Sequence, residues 1–390
     1  MRSIASASRR TLALGALLWA GGAHAADEAI EEATPLASPT TAEATLVVPT
    51  PESAWRLRGY GLLEYAQTWL PASATPIRSA PNAEFGLSGR YAAPSGWQGF
   101  GDATGSYTRN PEEENLLLNQ AGVRGGTGSW QWAVGKERSR LAPGLILSPS
   151  DFLYPQENLP GQREQRAGIW QVRASWTDSP WQSDFLWLPN MSVDAHGWPD
   201  ERTRRAGAAW RGFYLARAVD VGLSAARIGQ TEHAGMFVQG FFAHVTKGYV
   251  EYGRRRDAPD AAPDAGTRVL AGLSHEGIAD LRLRAEYYWN GAASTPGAGP
   301  PQSRFVNGTP QFFERGRYGL LHAARTNLWH ESSLSAIYAR AAGADDRLGF
   351  LRYDLPLTAH QNVGIGGGRV HWTAPEQTLR RVAADWKYSF

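Results

Sequence analysis

The chain has no cysteine among its 390 residues. Disulfide bonds, thiolate metal ligands, cysteine nucleophiles and covalently attached c-type haem are therefore excluded. Long apolar runs are missing as well, because nothing after the N-terminal segment approaches the roughly 18 consecutive apolar residues that mark a membrane-spanning helix. The mean hydropathy of −0.39 agrees with this absence. The sequence accordingly predicts no helical membrane span in the mature chain.

The chain also has no large excess of one charge, since it contains 39 lysines and arginines and 37 aspartates and glutamates. A balance this even does not indicate a nucleic-acid partner. The sequence has no phosphate-binding loop of the Walker type and no Gly-x-Ser-x-Gly motif, and its nine histidines form no His-x-x-x-His pair. We therefore expect no metal, no cofactor and no enzymatic activity.

Aromatic residues and glycine are abundant, with 16 Trp, 14 Tyr and 43 Gly. A soluble protein of this polarity rarely holds so much tryptophan. Transmembrane β-barrels do, because aromatic girdles lie at both membrane interfaces while the lumen stays polar. The composition therefore favours a transmembrane barrel.

The N-terminus has the three parts of a secretory signal peptide. Arg2, Arg9 and Arg10 precede an apolar run at 12–20, and the small-residue site Ala23-His24-Ala25 follows. The run is too short to span a membrane, which takes roughly 20 residues. We assign residues 1–25 to the signal peptide and the Ala-, Thr-, Pro- and Glu-rich residues 26–54 to a flexible periplasmic leader.

Cleavage after Ala25 is our first testable prediction, because the Ala-x-Ala site ends there. N-terminal sequencing of the protein from an outer-membrane fraction should begin at Ala26. Recovery of the protein from the soluble periplasm would contradict both the cleavage assignment and the barrel that follows it.

From Trp55 onward, apolar and polar residues alternate with the period of two that is typical of β-strands. In one such segment Arg282, Arg284 and Glu286 alternate with apolar residues. A soluble sandwich and a membrane barrel both produce this pattern, so periodicity alone leaves the two open. The predicted strands are 55–69, 81–92, 97–108, 115–125, 129–139, 165–177, 180–188, 203–215, 218–229, 233–243, 247–256, 266–276, 279–290, 313–325, 329–341, 345–355, 359–371 and 379–390.

The connections between these segments favour the barrel. Those after even-numbered strands are tight, whereas the long ones, at 140–164, 189–202, 257–265 and 291–312, all follow odd-numbered strands. Short periplasmic turns and longer external loops alternate in this way in barrels with both chain ends in the periplasm. We therefore predict an all-β, transmembrane, antiparallel up-and-down barrel over residues 55–390. It has about 18 strands, with 16 as the alternative count.

The last strand places its apolar residues on one face and ends in phenylalanine. A final strand of this kind resembles the insertion signal that the outer-membrane assembly machinery reads, and the signal residues would be Trp386, Tyr388 and Phe390. The resemblance implies a location in the outer membrane of a Gram-negative bacterium. The expected partners are then the assembly machinery, outer-membrane lipid and lipopolysaccharide.

The loop at 140–164 is too apolar and proline-rich to extend into water. Here the chain resembles two related sets of proteobacterial outer-membrane proteins, the porins and the alginate-export-like barrels. In porins the loop after the fifth strand folds into the lumen and narrows it. In the export-like barrels an Asn-Pro-x-Asp-like motif lies at a similar place, where this chain has Ser148-Pro149-Ser150-Asp151.

If this loop enters the pore, its acids would face basic residues on the next strand. A transverse field between them would order dipolar solutes. The alternative is that these are solvated charges at the barrel rim. The predicted constriction residues are Asp151, Glu157, Arg163, Arg166 and Arg173.

The leading functional hypothesis is a porin-like channel for passive diffusion or export of small polar or anionic solutes. Basic residues outnumber acidic ones between positions 163 and 256, which favours anions, although arginines at 202–205 and 254–256 could instead bind lipopolysaccharide phosphates. One alternative is a scaffold or sheath barrel that docks a periplasmic or envelope protein. A weaker one is an outer-membrane hydrolase using His330 and Ser332, which would share a strand face if both lay in a strand.

Overall fold

The computed structural model describes residues 55–69, 78–109, 112–138, 142–145, 147–153, 168–191, 205–216, 218–256, 266–291, 305–306, 309–310, 316–343, 345–373 and 376–390. The signal peptide and the leader lie outside the described residues, as do the predicted constriction residues Glu157, Arg163 and Arg166. No helix among the described residues is long and apolar enough to span a membrane.

The described residues form twenty strands, of which β14 and β15 are a separate two-stranded hairpin. Their bounds are β1 (Trp55–Trp69), β2 (Arg78–Ala92), β3 (Gln98–Arg109), β4 (Glu112–Thr127), β5 (Trp130–Glu137), β6 (Ile169–Asp178), β7 (Trp181–Met191), β8 (Arg205–Leu215), β9 (Val219–Ile228), β10 (Thr231–Ala243), β11 (Thr246–Arg256), β12 (Gly266–Ile278), β13 (Leu281–Asn290), β14 (Phe305–Val306), β15 (Thr309–Pro310), β16 (Arg317–Arg325), β17 (Ser333–Ala341), β18 (Arg347–Thr358), β19 (Gln361–Thr373) and β20 (Glu376–Ser389).

The other eighteen strands close into one antiparallel barrel. Each pairs with its neighbours along the chain, β13 pairs with β16 across the small hairpin, and β1 pairs with both β2 and β20. At the closure Leu63 faces Trp386 on β20 and Ala83 on β2. The predicted antiparallel barrel and its count of 18 strands are confirmed.

The alternation of residues sets the two faces of the wall. On β13 the outward Leu283 and Tyr287 are exposed, whereas the inward Glu286 is 5% exposed. Between the two ends of the barrel the outer face is apolar, while charged side chains point inward. This inverts the arrangement of a soluble protein, because the outer face of a transmembrane barrel meets lipid and its lumen holds water.

The long connections lie at one end of the barrel as predicted, but at the other end β16 and β17 are joined by seven residues, 326–332, where a tight turn was predicted. The connections β4–β5, β6–β7, β10–β11, β12–β13 and β18–β19 span two residues each, and all lie at the same end. We call this the turn end, and the opposite end the loop end. The loop end carries the long connections at 138–168, 192–204, 257–265 and 291–316.

The predicted strand 329–341 is wrong at its start, since β17 begins at Ser333. Residues 326–332 form a turn in which Asn327, His330 and Glu331 have φ of 51°, 49° and 59°. These left-handed conformations cannot continue a strand. His330 therefore packs on Trp329 with the ring centres 4.6 Å apart, and the Ser332 hydroxyl accepts the Trp329 amide at 3.2 Å. The strand geometry on which the hydrolase hypothesis depended is absent from this turn.

Candidate functional site

The β5–β6 connection returns into the barrel and lies against the inner wall. Its described residues, 142–145 and 147–153, contact inward-facing side chains of β6 to β13. We call this segment the inner loop. It contacts two wall carboxylates, two glycines and two apolar clusters.

Glu251 on β11 is the main anchor of the inner loop. Its buried carboxylate accepts hydrogen bonds from the Gly144 amide at 2.6 Å, the Ser148 hydroxyl at 3.0 Å and the Ser150 hydroxyl at 2.8 Å. The Ser150 amide donates to the same carboxylate at 3.3 Å. A buried carboxylate is stable only where such donors replace its water. Glu251 thus fixes both ends of the turn that contains Ser148-Pro149-Ser150.

A second carboxylate, Glu286 on β13, holds the start of the inner loop. It accepts the Leu145 amide at 2.7 Å and a hydrogen bond from the Tyr249 hydroxyl on β11. The two anchors lie on different strands and bind neighbouring loop residues. The loop backbone is therefore fixed across three strands of the wall.

Two glycines allow the loop backbone to approach the wall this closely. A Cβ on Gly253 would lie 1.8 Å from the Pro149 carbonyl oxygen, and one on Gly235 would lie 2.6 Å from the Ser150 carbonyl oxygen. Any side chain at either position would push the loop away from the wall.

The apolar residues of the inner loop pack into two clusters inside the barrel. Leu147 belongs to a cluster that includes Tyr249, Leu270 and Tyr318, and Leu145 packs against it. The second cluster contains Phe152, Leu153, Ile169, Leu186, Leu188, Ala209, Ala226 and Ile228. Burial of these side chains stabilises the inward position, at about 25 cal/mol per Å² of apolar surface.

The predicted constriction residues fall in different surroundings. Asp151 is buried at 3% exposure between the loop and the wall, where its carboxylate accepts the Leu153 amide at 2.9 Å. Arg173 points inward from β6 and lies 3.4 Å from the Glu137 carboxylate on β5. The structure does not bring these two side chains together as a facing pair, and their role in a constriction stays a prediction.

A buried ion pair beneath the inner loop was missed by sequence reasoning. Arg211 on β8 contacts Asp184 on β7 at 2.8 Å, and each side chain is 1% exposed. Atoms Nε and Nη1 of Arg211 are buried without a hydrogen-bond partner among the described residues. The negative charge of Asp151 also acts on Arg211. The period of two places both residues on the inner face, but only strand register shows that they face each other.

Basic side chains form a row on the inner wall toward the turn end. Lys247 faces Ser274, Ser274 faces Arg284, and Arg284 faces His322, so the row crosses β11, β12, β13 and β16. Arg282 lies one inward position further toward the turns, where its Nε pairs with the Glu276 carboxylate at 2.7 Å. We call Lys247, Arg282, Arg284 and His322 the basic row. Its lysine and two arginines carry the positive charge, and rows of such side chains attract anions in pores.

The neighbouring wall, from β18 round to β1, contains compensated charges. Arg352 on β18 donates to Asp385 on β20 at 2.9 Å and also pairs with Asp354. Arg381 on β20 donates to Glu64 on β1 at 3.1 Å. These pairs cross-link the strands at which the barrel closes.

Comparison with known proteins places the fold among porins. No protein-family model matches the chain, and no curated protein does. Among solved structures, Pseudomonas aeruginosa OccK11 (OpdR) has 12% identity and a TM-score of 0.59, covering 86% of this chain and 96% of that one. Pseudomonas aeruginosa OpdO has 13% identity and a TM-score of 0.59, covering 86% and 97%. The outer membrane protein opdK from the same organism has 9% identity and a TM-score of 0.57, covering 86% and 99%. At these identities the likeness concerns the fold, a closed 18-stranded barrel of the porin type.

The predicted insertion signal lies on the outer face of β20. Trp386 and Tyr388 are exposed there with their rings 6.4 Å apart, and Phe390, which follows the last residue of β20, is also exposed. The structure thus places the three side chains where lipid or another protein can contact them. That the assembly machinery recognises these side chains stays a prediction.

Deleting Phe390, or replacing Trp386 and Tyr388 by Asp, should block assembly. The acidic side chains would face lipid, where even basic ones cost about 2–4 kcal/mol at mid-depth and acidic ones less, so we expect most of the loss to come from the missing signal. The measurement is the amount of heat-modifiable, folded barrel in outer-membrane fractions. As a control, Lys387→Gln alters the inward face of the same strand and should assemble normally. Normal levels of folded barrel in the strain that lacks Phe390 would contradict the hypothesis that this residue belongs to an insertion signal.

Proposed function

We propose that this protein is an outer-membrane channel for the passive diffusion of small polar solutes, with a preference for anions. The observation that carries the proposal is a closed 18-stranded barrel with charged side chains inside and a loop folded against its inner wall. Barrels of 16 to 18 strands leave room for an aqueous channel, whereas eight strands are filled by their own side chains. The inner loop would then set the bore.

The outer face supports the outer-membrane location. Large apolar side chains such as Trp55, Leu116, Phe185, Val250 and Ile365 are exposed around the barrel. So much exposed apolar surface is stable only against lipid or another apolar partner. In that location the turn end faces the periplasm and the loop end faces outward.

The basic row supports the preference for anions. Solutes that carry a carboxylate or a phosphate fit the basic row best, because the guanidinium group of arginine binds these anions in bidentate geometry. Nε of Arg284 and Nδ1 of His322 are buried without a hydrogen-bond partner among the described residues. Both atoms are buried, so an anion in the lumen would be attracted by the charge of Arg284 and would not bind these atoms directly.

Two alternatives from the sequence remain distinguishable from a passive pore. An alginate-export-like role shares the barrel but reverses the expected direction of transport. A sheath barrel would be filled by a partner protein and would conduct little. The similar solved structures support neither alternative.

Planar-bilayer recording of the purified barrel tests the proposal. We expect stable single-channel currents, and a reversal potential under a salt gradient that shows anion preference. Lys247→Gln with Arg284→Gln should shift the reversal potential toward cations, because two lumen charges are lost. Arg325→Gln removes an exposed arginine from the outer face and should leave selectivity unchanged. A silent bilayer with folded protein would contradict the channel and favour the sheath.

A further inference from the structure

The outer face carries a cluster of arginines at the loop end. They lie on five adjacent strands, β16 to β20, and alternate with residues that face the lumen. We call them the outer basic patch, and they are Arg317, Arg340, Arg347, Arg369 and Arg380. All five are exposed, whereas Tyr318, Leu348 and Val370, beside three of them in sequence, are fully buried on the inner face.

Strand register brings these arginines close together. Arg340 faces Arg347 across β17 and β18, and Arg369 faces Arg380 across β19 and β20. Arg317 is the first residue of β16, one outward position beyond Gly319, which faces Arg340. With strands about 4.8 Å apart, the patch covers roughly 20 Å of the circumference.

Like charges this close require a counter-charge. Asp345, in the β17–β18 connection, accepts a hydrogen bond from Nε of Arg347 at 2.8 Å and lies 3.6 Å from Arg340. The hydrogen bond from Arg347 holds the pKa of Asp345 below its usual value. In the part of the chain that the structure describes, Asp345 sets one carboxylate against these five guanidinium groups, so the patch is positive and an anionic ligand would relieve the repulsion.

An apolar groove leads up to the patch along the outer face. Its volume is about 760 Å³, and it crosses the strands from Val219 on β9, at the turn end, to Arg340. Small outward residues, among them Gly248, Ala271 and Gly319, form its floor. Seven strands at about 4.8 Å spacing make it roughly 29 Å long, enough for a fatty acyl chain. We call it the outer groove.

We propose that the outer basic patch and the outer groove together bind the phosphorylated glycolipid of the outer leaflet, with its phosphates on the arginines and one acyl chain in the groove. The inference rests on the proposed outer-membrane location, which places the patch at the outer leaflet. Arginine on a lipid-facing surface costs about 2–4 kcal/mol at mid-depth but 0–1 near the interface, so the position at the loop end suits a headgroup. A second copy of this chain docked symmetrically on the same face would instead set arginine against arginine.

Binding of purified lipopolysaccharide to the detergent-solubilised barrel tests the proposal. The triple variant Arg317→Gln, Arg340→Gln, Arg369→Gln should bind roughly 100-fold more weakly, since each basic residue near an anionic lipid surface contributes about a factor of five. Arg325→Gln, on the outer face at the turn end, is the matched control and should bind like the parent. Equal binding by the triple variant and the parent would overturn the proposal.

A second variant tests the groove without removing charge. A Cβ on Gly319 meets no atom within 4 Å, so Gly319→Trp can fill the groove without disturbing the wall. We expect it to weaken binding of acylated lipid but not of the deacylated, phosphorylated sugar. If Gly319→Trp instead converts an oligomer to a monomer and leaves lipid binding unchanged, the groove is a protein interface and the proposal fails.

The unmodified barrel provides the remaining measurement. It should bind phosphorylated lipid at least tenfold more tightly than dephosphorylated lipid. This comparison needs no variant, so it remains valid even if a variant fails to fold. Equal affinity for the two lipids would overturn phosphate recognition. Channel recordings separate this inference from the proposed function, because the patch variants should conduct like the parent. Lipid binding without any current would contradict the channel but leave the lipid site standing.

Discussion

Excising residues 144–158 should raise single-channel conductance severalfold. The deletion removes the Glu251 and Glu286 contacts of the inner loop together with Leu145, Leu147 and Phe152, all of which lie inside the barrel. The strands on either side keep their partners, β5 with β4 and β6 with β7. Pore resistance falls as the bore widens, so the current should increase. Planar-bilayer recording with a short Gly-Ser bridge in place of the loop measures the effect.

Point variants distinguish the effect of the loop's hydrogen bonds to the wall from the effect of the volume that the loop occupies. Glu251→Ala leaves the loop at full length but removes the acceptor of the Gly144, Ser148 and Ser150 donors, so we expect noisy currents that switch between levels. Glu64→Gln is the matched control, since this inward carboxylate pairs with Arg381 on the wall. If the excised barrel conducts like the parent, the inner loop does not set the bore. Selectivity must then arise elsewhere, the basic row being the first place to look.

Asp184→Ala should lower the free energy of unfolding by about 3–5 kcal/mol, the usual cost of leaving one partner of a buried ion pair alone. Arg211 would keep its charge at 1% exposure, with Nε and Nη1 already without a hydrogen-bond partner among the described residues. The charge of Asp151 offsets part of the loss, so the effect should lie toward the lower end. Urea titration of the barrel in lipid vesicles, followed by tryptophan fluorescence, gives the value.

The double variant Asp184→Leu, Arg211→Met is the control for this pair. Replacing both charges by apolar side chains of similar size is often neutral or stabilising, so most of the lost stability should return. A loss below about 1 kcal/mol in Asp184→Ala would contradict the assignment, because that is the value of a solvent-exposed pair. A double variant as unstable as the single one would show that packing, and not charge, determines the effect.

The strands could be predicted from the sequence because each carries its own pattern. On β13, Arg282, Arg284 and Glu286 alternate with apolar residues, and the structure places them inward as a lumen requires. The start of β17 was misplaced because Asn327, His330 and Glu331 adopt left-handed conformations. Alternation does not reveal such conformations, since none of the three is the glycine that usually marks them.

The candidate site could be predicted only in part. The apolar and proline-rich character of 140–164 indicated a loop that avoids water, but nothing local identified its anchors. Glu251 lies about a hundred positions further along the chain. In the sequence it looks like any other polar residue of a strand with alternating polar and apolar residues. The same holds for Asp184 with Arg211, and for Lys247 with Arg284, whose proximity depends on strand register.

The sequence by itself determined the alternation of each strand, the placement of the long loops at one end, a strand count of about 18 with 16 still open, and the apolar outer face. These are local properties, because side chains in a strand point alternately to its two faces whatever the strand pairs with. Tertiary structure alone decided which side chains meet. Closure of β1 on β20 and the register of each pair place Glu251 under the inner loop, align the basic row across four strands, and gather five arginines on the outer face. Those contacts join residues distant in sequence, and a shift of one residue in register would turn each such side chain to the opposite face.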